Sequence, residues 1–206
     1  MDAYLPDLAA APGLVLLALL IGYLCGSIPF GVLSSRLFGL ADPRKQGSGN
    51  IGATNVLRSG HKGAAAVTLL GDALKGTIPV LVLGALWGPM PAHVAAIGAF
   101  LGHLFPVWIG FRGGKGVATY LGILFALSWP AALLACATWL AVAFALRYSS
   151  LSALVAAALS PVWLAVVGAQ GAVWVGVLLA LMIFLSHRGN IARLLRGAEP
   201  KIGKRA

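Results

Sequence analysis

VATYLGILFALSWPAALLACATWLAVAFAL, residues 117–146, carries no charge, and the number of times it crosses a bilayer decides the fold. A spanning helix takes about 20 apolar residues, within a range of roughly 17–25. This run is longer than one ordinary crossing. Ser128-Trp129-Pro130 sits near its middle, and the residue before a proline is pushed out of the α region, so a break is expected there.

Working outward, the same length criterion marks apolar segments at about 14–35 (with Pro29 inside it), 63–88, 91–109, 117–128, 130–146, 150–168 and 171–187. The polar stretches between and beyond them are 36–62, 110–116, 147–149 and 188–206. Lysine and arginine collect on the cytoplasmic side of membrane proteins, and that rule arbitrates the count. With seven crossings and an external N-terminus, 14 of the 15 basic residues face the cytoplasm and only Lys75 lies inside a span. With a single crossing at 117–146, Arg147 and the basic tail from Arg188 onward fall on the wrong side. The expectation is one all-α polytopic membrane domain over 1–206, with about seven transmembrane helices, one of them short. The N-terminus is outside and the C-terminus cytoplasmic.

Composition supports this class and excludes others. The chain is 60% hydrophobic and 10% charged, whereas soluble domains carry roughly 25% charged residues. The net charge of +10 is therefore topological, and no basic block with interleaved aromatics suggests nucleic acid as a partner. Cys25 and Cys136 lie in apolar runs and read as packing residues, with no disulfide or metal spacing. The start, MDAYLPD, lacks a basic n-region and does not read as a cleaved signal peptide.

Chemistry must sit on the cytoplasmic loops. GSGNIGATNVLR (47–58) places Gly47, Gly49 and Gly52 among Ser48, Asn50, Thr54 and Asn55, and ends in Arg58. Such a run suits an anion-binding concavity with a guanidinium fork. In GFRGGKG (110–116), Gly113, Gly114 and Gly116 with Lys115 open a helix, offering N–H groups, a dipole and an ammonium together. It is not a Walker A motif, since Gly116 follows Lys115 and Ile109 stands where that motif needs glycine. RYSSLS (147–152) supplies hydroxyls that read as a helix cap, and SHRGN (186–190) brings His187 and Asn190 three apart. Asp72 and Lys75 share a helix face and are expected to pair as a brace. His103 reads as a structural histidine. Neither a histidine with aspartate five positions on nor a G-x-S-x-G elbow is present.

At these residues the sequence closely resembles the bacterial acyl-phosphate-dependent glycerol-3-phosphate acyltransferases, the PlsY family. GSIPFG (26–31), GSGNIGATNVLR, GDALKG (71–76), GHLFPVWIGFRGGKGVAT (102–119), RYSSLS and HRGNI with a following Glu199 carry the resemblance in order through nearly the whole chain. It implies transfer of a fatty acyl group from acyl phosphate to the sn-1 hydroxyl of glycerol 3-phosphate, at the cytoplasmic face of the bacterial inner membrane. It implies no cofactor and no partner beyond the two substrates and membrane lipid. Ser48, Arg58, Lys115, His187 and Asn190 would be the catalytic groups, with the loop glycines, Asn50, Thr54, Asn55 and Ser152 binding substrate and Glu199 structural. No acid partner for His187 is evident, so a substrate phosphate oxygen is favoured as proton acceptor, with His187 donating hydrogen bonds. A small anion or phosphate transporter or channel is the alternative, since basic loops and an intramembrane Asp72/Lys75 pair also suit an ion path.

Overall fold

The computed structural model describes residues 12–203; the reading of the acidic start falls outside them. Every regular element among these residues is helical: α1 (Pro12–Gly26), α2 (Phe30–Leu37), α3 (Ala53–Leu57), α4 (Lys62–Trp87), α5 (Pro89–Leu104), α6 (Val117–Leu127), α7 (Trp129–Leu146), α8 (Ser149–Val166), α9 (Val173–Ser186) and α10 (Arg188–Leu195), with three short 3-10 turns. Five segments are long and apolar enough to cross a membrane, or six if α9 and α10, bent by 63° where they meet, count as one broken span. The protein is thus a multi-pass membrane protein.

The deciding stretch does break at Ser128, which adopts extended angles (φ −164, ψ 99). Trp129 then opens α7 with Pro130 in its first turn, where the missing N–H costs nothing. α6 is left with 11 residues, roughly 16 Å at 1.5 Å per residue, well short of a hydrocarbon core of about 30 Å.

Three segments differ from the sequence expectation. The first span is two helices, broken at Ser27–Ile28–Pro29. The 36–62 stretch contains α3, and the tail contains α10. Pro29 explains the first break: its ring cannot continue the hydrogen-bond ladder of α1.

Lipid tails are as apolar as leucine, so helix association rests on close packing rather than on the hydrophobic effect. The α1–α5 pair is built for it. Gly22 and Gly26 of α1 lie against the main chain of Ala95 and Ala99, and Gly98 and Gly102 of α5 lie against that of Leu19, Tyr23 and Ser27. A Cβ at any of these four glycines would strike backbone. Tyr23 adds a hydrogen bond from its hydroxyl to the Phe105 carbonyl at 2.8 Å, fixing where the chain leaves α5. On the other side of α5, Phe100 packs edge-on against Tyr120 of α6, in the main core that α6, α8 and α9 share.

Asp72 and Lys75 are both buried, and their charges approach to 2.7 Å, off the line of a directed hydrogen bond. The ammonium also donates to the Ile28 carbonyl at 2.8 Å. That carbonyl is one of those freed by the break after α1.

Candidate active site

The loops and helix ends enclose a cavity of about 550 Å3, within the usual size range of small-molecule sites. Ser48, Arg58, Lys115, His187 and Asn190 all line it. So do Asn50, Gly52, Thr54, Asn55, Gly116, Asp72 and Glu199. Four segments remote in sequence therefore meet at one hollow. Deeper in, the walls turn apolar, with Ala65 and Leu69 of α4, Val117 and Leu121 of α6, Trp139 of α7 and Ala153 of α8.

The first loop spends its donors on itself. The Asn55 amide nitrogen donates to the carbonyls of Pro43 (2.8 Å), Gln46 (3.1 Å) and Asn50 (2.8 Å), while its oxygen accepts from the Ser48 N–H at 3.0 Å. Gly49 N–H bonds Gln46 O, and Gly52 N–H bonds the Asn50 side chain at 3.2 Å. Asn55 is thus a staple that shapes the loop. Gly47 and Gly49, both at positive φ, turn the chain but do not line the cavity. What the loop presents is Ser48, Thr54 and the guanidinium of Arg58. Arg58 pairs with no carboxylate among the described residues.

The second loop corrects another expectation. The N–H groups of Gly113 and Gly114 donate to Leu104 and His103 carbonyls, both at 3.1 Å. They hold the turn and are not free for an anion, and neither residue lines the cavity. The N–H groups left at this end are those of Lys115, Gly116 and the first turn of α6. Gly116 caps that helix at φ +83, a left-handed conformation suited to glycine. Lys115 is tied in place through its carbonyl, which accepts from Ser186 Oγ at 3.1 Å. Burial holds the Lys115 ammonium below the ordinary lysine value; Arg193 and Arg58 push the same way, and Glu199 opposes them. Three cations crowding one cavity favour an anion between them.

The third wall is the bend at His187. Its Nδ1 lies 2.9 Å from the Ile183 carbonyl, which can only accept, so the proton is on Nδ1 and Nε2 carries a lone pair. The ring is buried and lines the cavity. With Nδ1 engaged by Ile183, Nε2 is the ring atom that can accept a hydrogen bond.

Asn190 donates to Glu199 Oε1 (2.6 Å), Ser150 Oγ donates to the same oxygen (2.6 Å), and Arg193 Nε donates to Oε2 (2.7 Å). Glu199 thus fixes three cavity-lining side chains at once. Burial raises its carboxyl, but these three donors outweigh it and the pKa lies below the ordinary value. The tail reaches this position because Ile202 and Arg147 exchange bonds: Ile202 N–H to Arg147 O at 2.6 Å and the Arg147 guanidinium to Ile202 O at 2.9 Å. Ser152, by contrast, is buried and bonds back to the Tyr148 carbonyl at 2.8 Å, away from the cavity. Ser150 takes its place at the site. Arg193, Ser149, Ser150 and His103 are polar lining residues that sequence reasoning did not place at the site.

An all-helical membrane protein with a cationic, N–H-rich pocket running into apolar walls is a protein built to bring an anion to a lipid. Comparison with known proteins narrows that class. The glycerol-3-phosphate acyltransferase family model matches residues 16–197. A glycerol-3-phosphate acyltransferase of Bradyrhizobium sp. (strain BTAi1) is 59% identical over 90% of this chain and 94% of its own, and one of Mesorhizobium japonicum is 58% identical over 92% and 96%. The crystal structure of PlsY, an integral membrane glycerol 3-phosphate acyltransferase, in its glycerol 3-phosphate form superposes with a TM-score of 0.87 at 38% identity, covering 93% of this chain and 96% of that one. Its lysophosphatidic acid form gives 0.86 at 37%. This chain belongs to the glycerol-3-phosphate acyltransferase family.

Proposed function

We propose that the protein transfers a fatty acyl group from acyl phosphate to the sn-1 hydroxyl of glycerol 3-phosphate, releasing lysophosphatidate and phosphate. The single observation that carries the reading is the meeting of Arg58, Lys115 and Arg193 around a hollow whose other walls are apolar. Two phosphorylated reactants need such a clamp, and one of them brings an acyl chain that needs such walls. Phosphate is already a good leaving group, so the protein contributes proximity and charge stabilisation. Arg58, Lys115 and the first turn of α6 hold phosphate; Ser48 and Thr54 hydrogen-bond the substrates; Asn190 is aimed by Glu199. The 1-hydroxyl attacks the acyl carbonyl, and its proton goes to a substrate phosphate oxygen or to Nε2 of His187.

In the membrane, seven apolar segments put the basic loops on one side. α6 is a short fourth crossing, the N-terminus is external and the site opens to the cytoplasm. Relatives from bacteria support placement in the bacterial inner membrane.

The test is to incubate purified protein with palmitoyl phosphate and labelled glycerol 3-phosphate. Labelled lysophosphatidate is expected, and its absence with folded protein would overturn the reading. Single cysteines at Gln46 and Arg196 should both react with an impermeant thiol reagent from the cytoplasmic side only, and one at Gln170 only from outside.

A further inference from the structure

His103 is buried, lines the cavity and leaves Nε2 without a hydrogen-bond partner. A buried ring nitrogen with no partner is costly to leave unmet, so it calls for a ligand. Its other nitrogen is well held. Nδ1 lies 3.0 Å from Thr119 Oγ1 and 3.6 Å from the Asp72 carboxylate. A carboxylate on that side favours the proton on Nδ1 and leaves a lone pair on Nε2. Lys75 neutralises Asp72, so the dyad presents no net negative charge to a phosphate.

Several acceptors around the cavity are taken: both Glu199 oxygens receive donors, the Asn50 oxygen accepts from Gly52, and the Asn55 oxygen accepts from Ser48. The ring nitrogens of His187 and His103 remain, beside the hydroxyls of Ser48 and Thr54 and the Asn190 amide oxygen. The acceptor substrate has two hydroxyls. His187 stands within the field of Lys115, where charge develops, and suits the hydroxyl that reacts. His103 is enclosed by Asp72, Thr119 and Gly114, its Nδ1 held on the side away from Nε2, and suits a hydroxyl that must be held and not acylated.

The geometry points to His103 as a specificity residue: its Nε2 accepts a hydrogen bond from the 2-hydroxyl of glycerol 3-phosphate, with Asp72 as the positioning residue that fixes the ring. This rests on the reading above and deepens it. Tying down the 2-hydroxyl directs the 1-hydroxyl toward the acyl group, which gives the transfer its regiochemistry.

The experiment compares glycerol 3-phosphate with 3-hydroxypropyl phosphate, which lacks only the 2-hydroxyl, using palmitoyl phosphate as donor. Wild-type kcat/KM should favour glycerol 3-phosphate by on the order of 10–100-fold. His103→Ala should lose that factor for glycerol 3-phosphate and leave the rate with the deoxy analogue within about twofold, which also certifies its fold. Asp72→Asn should lose part of the same preference. Equal wild-type rates with the two acceptors would overturn the inference without any variant. So would an equal loss on both in His103→Ala. A wild type inactive with both acceptors would instead overturn the acyltransferase reading itself.

Discussion

The α1–α5 seam and the substrate cavity are made from the same small residues on opposite plans. At the seam, glycines at 22, 26, 98 and 102 bring two backbones into contact and leave no room for a side chain. At the cavity, alanines at 65, 66, 118 and 153 line a gap instead, because the stapled loops and the folded-back tail fill the space between the helix ends and hold them apart. Small side chains thus close a membrane protein or open it, according to what props the helices. The lesson is that the loops here are spacers as much as binding elements.

Substitutions can break that contrast, and their effects should fall in a definite order. Gly26→Leu comes first, because it drives a side chain into the main chain of Ala99. Overpacking a tight contact costs about 1–3 kcal/mol or more, and little monodisperse protein should survive size-exclusion in detergent. Arg58→Ala and Lys115→Met act on the other region. Each should lower kcat/KM on the order of 100–1000-fold, as removal of a transition-state charge contact does. Thermal unfolding should stay within a few degrees of wild type, since neither side chain braces a helix.

Glu199→Gln sits between the two plans. It keeps the tail's shape but weakens the holds on Arg193, Asn190 and Ser150, and should cost about tenfold in rate. It should also speed amide exchange at 197–203. Acid should loosen the same segment in wild type. The folded Glu199 carboxyl titrates below its ordinary value, so its contribution is present above about pH 4.5 and is lost as pH falls through the folded pKa. Protection of the tail amides, corrected for their intrinsic exchange rates, should therefore fall as pH drops below about 4.5.

The smallest effect concerns the proton. A phosphate monoester takes its second proton near pH 6. If substrate phosphate is the base, the acid limb of kcat/KM falls near pH 6 and persists in His187→Gln. An acid limb that vanishes in His187→Gln would assign the proton to the ring instead.

Much of this was legible in the residues themselves. The length of the uncharged run and Ser128-Trp129-Pro130 located the α6–α7 break, and the Asp72/Lys75 pair followed from helix spacing. The polar motifs pointed to the segments that meet at the cavity. What sequence could not supply was which atoms are already engaged. The Gly113 and Gly114 amides look free until the chain is seen to turn back on Leu104 and His103. Ser150 and Ser152 are alike in type and nearly adjacent, and only tertiary packing selects the one that meets Glu199. His103 and Asp72 lie on different helices, so no spacing rule joins them. Arg193 was hidden by the rule that explains every basic residue in the tail as topology.

The break after α1 has one more consequence. An unwound carbonyl opposite a buried carboxylate is the kit from which secondary transporters assemble a seat for a coupling cation. Here a side chain of the same polymer fills that seat: Lys75 reaches both the Ile28 carbonyl and Asp72. A tethered occupant cannot be exchanged for sodium, so the seat is closed to a coupling metal ion by the chain's own ammonium.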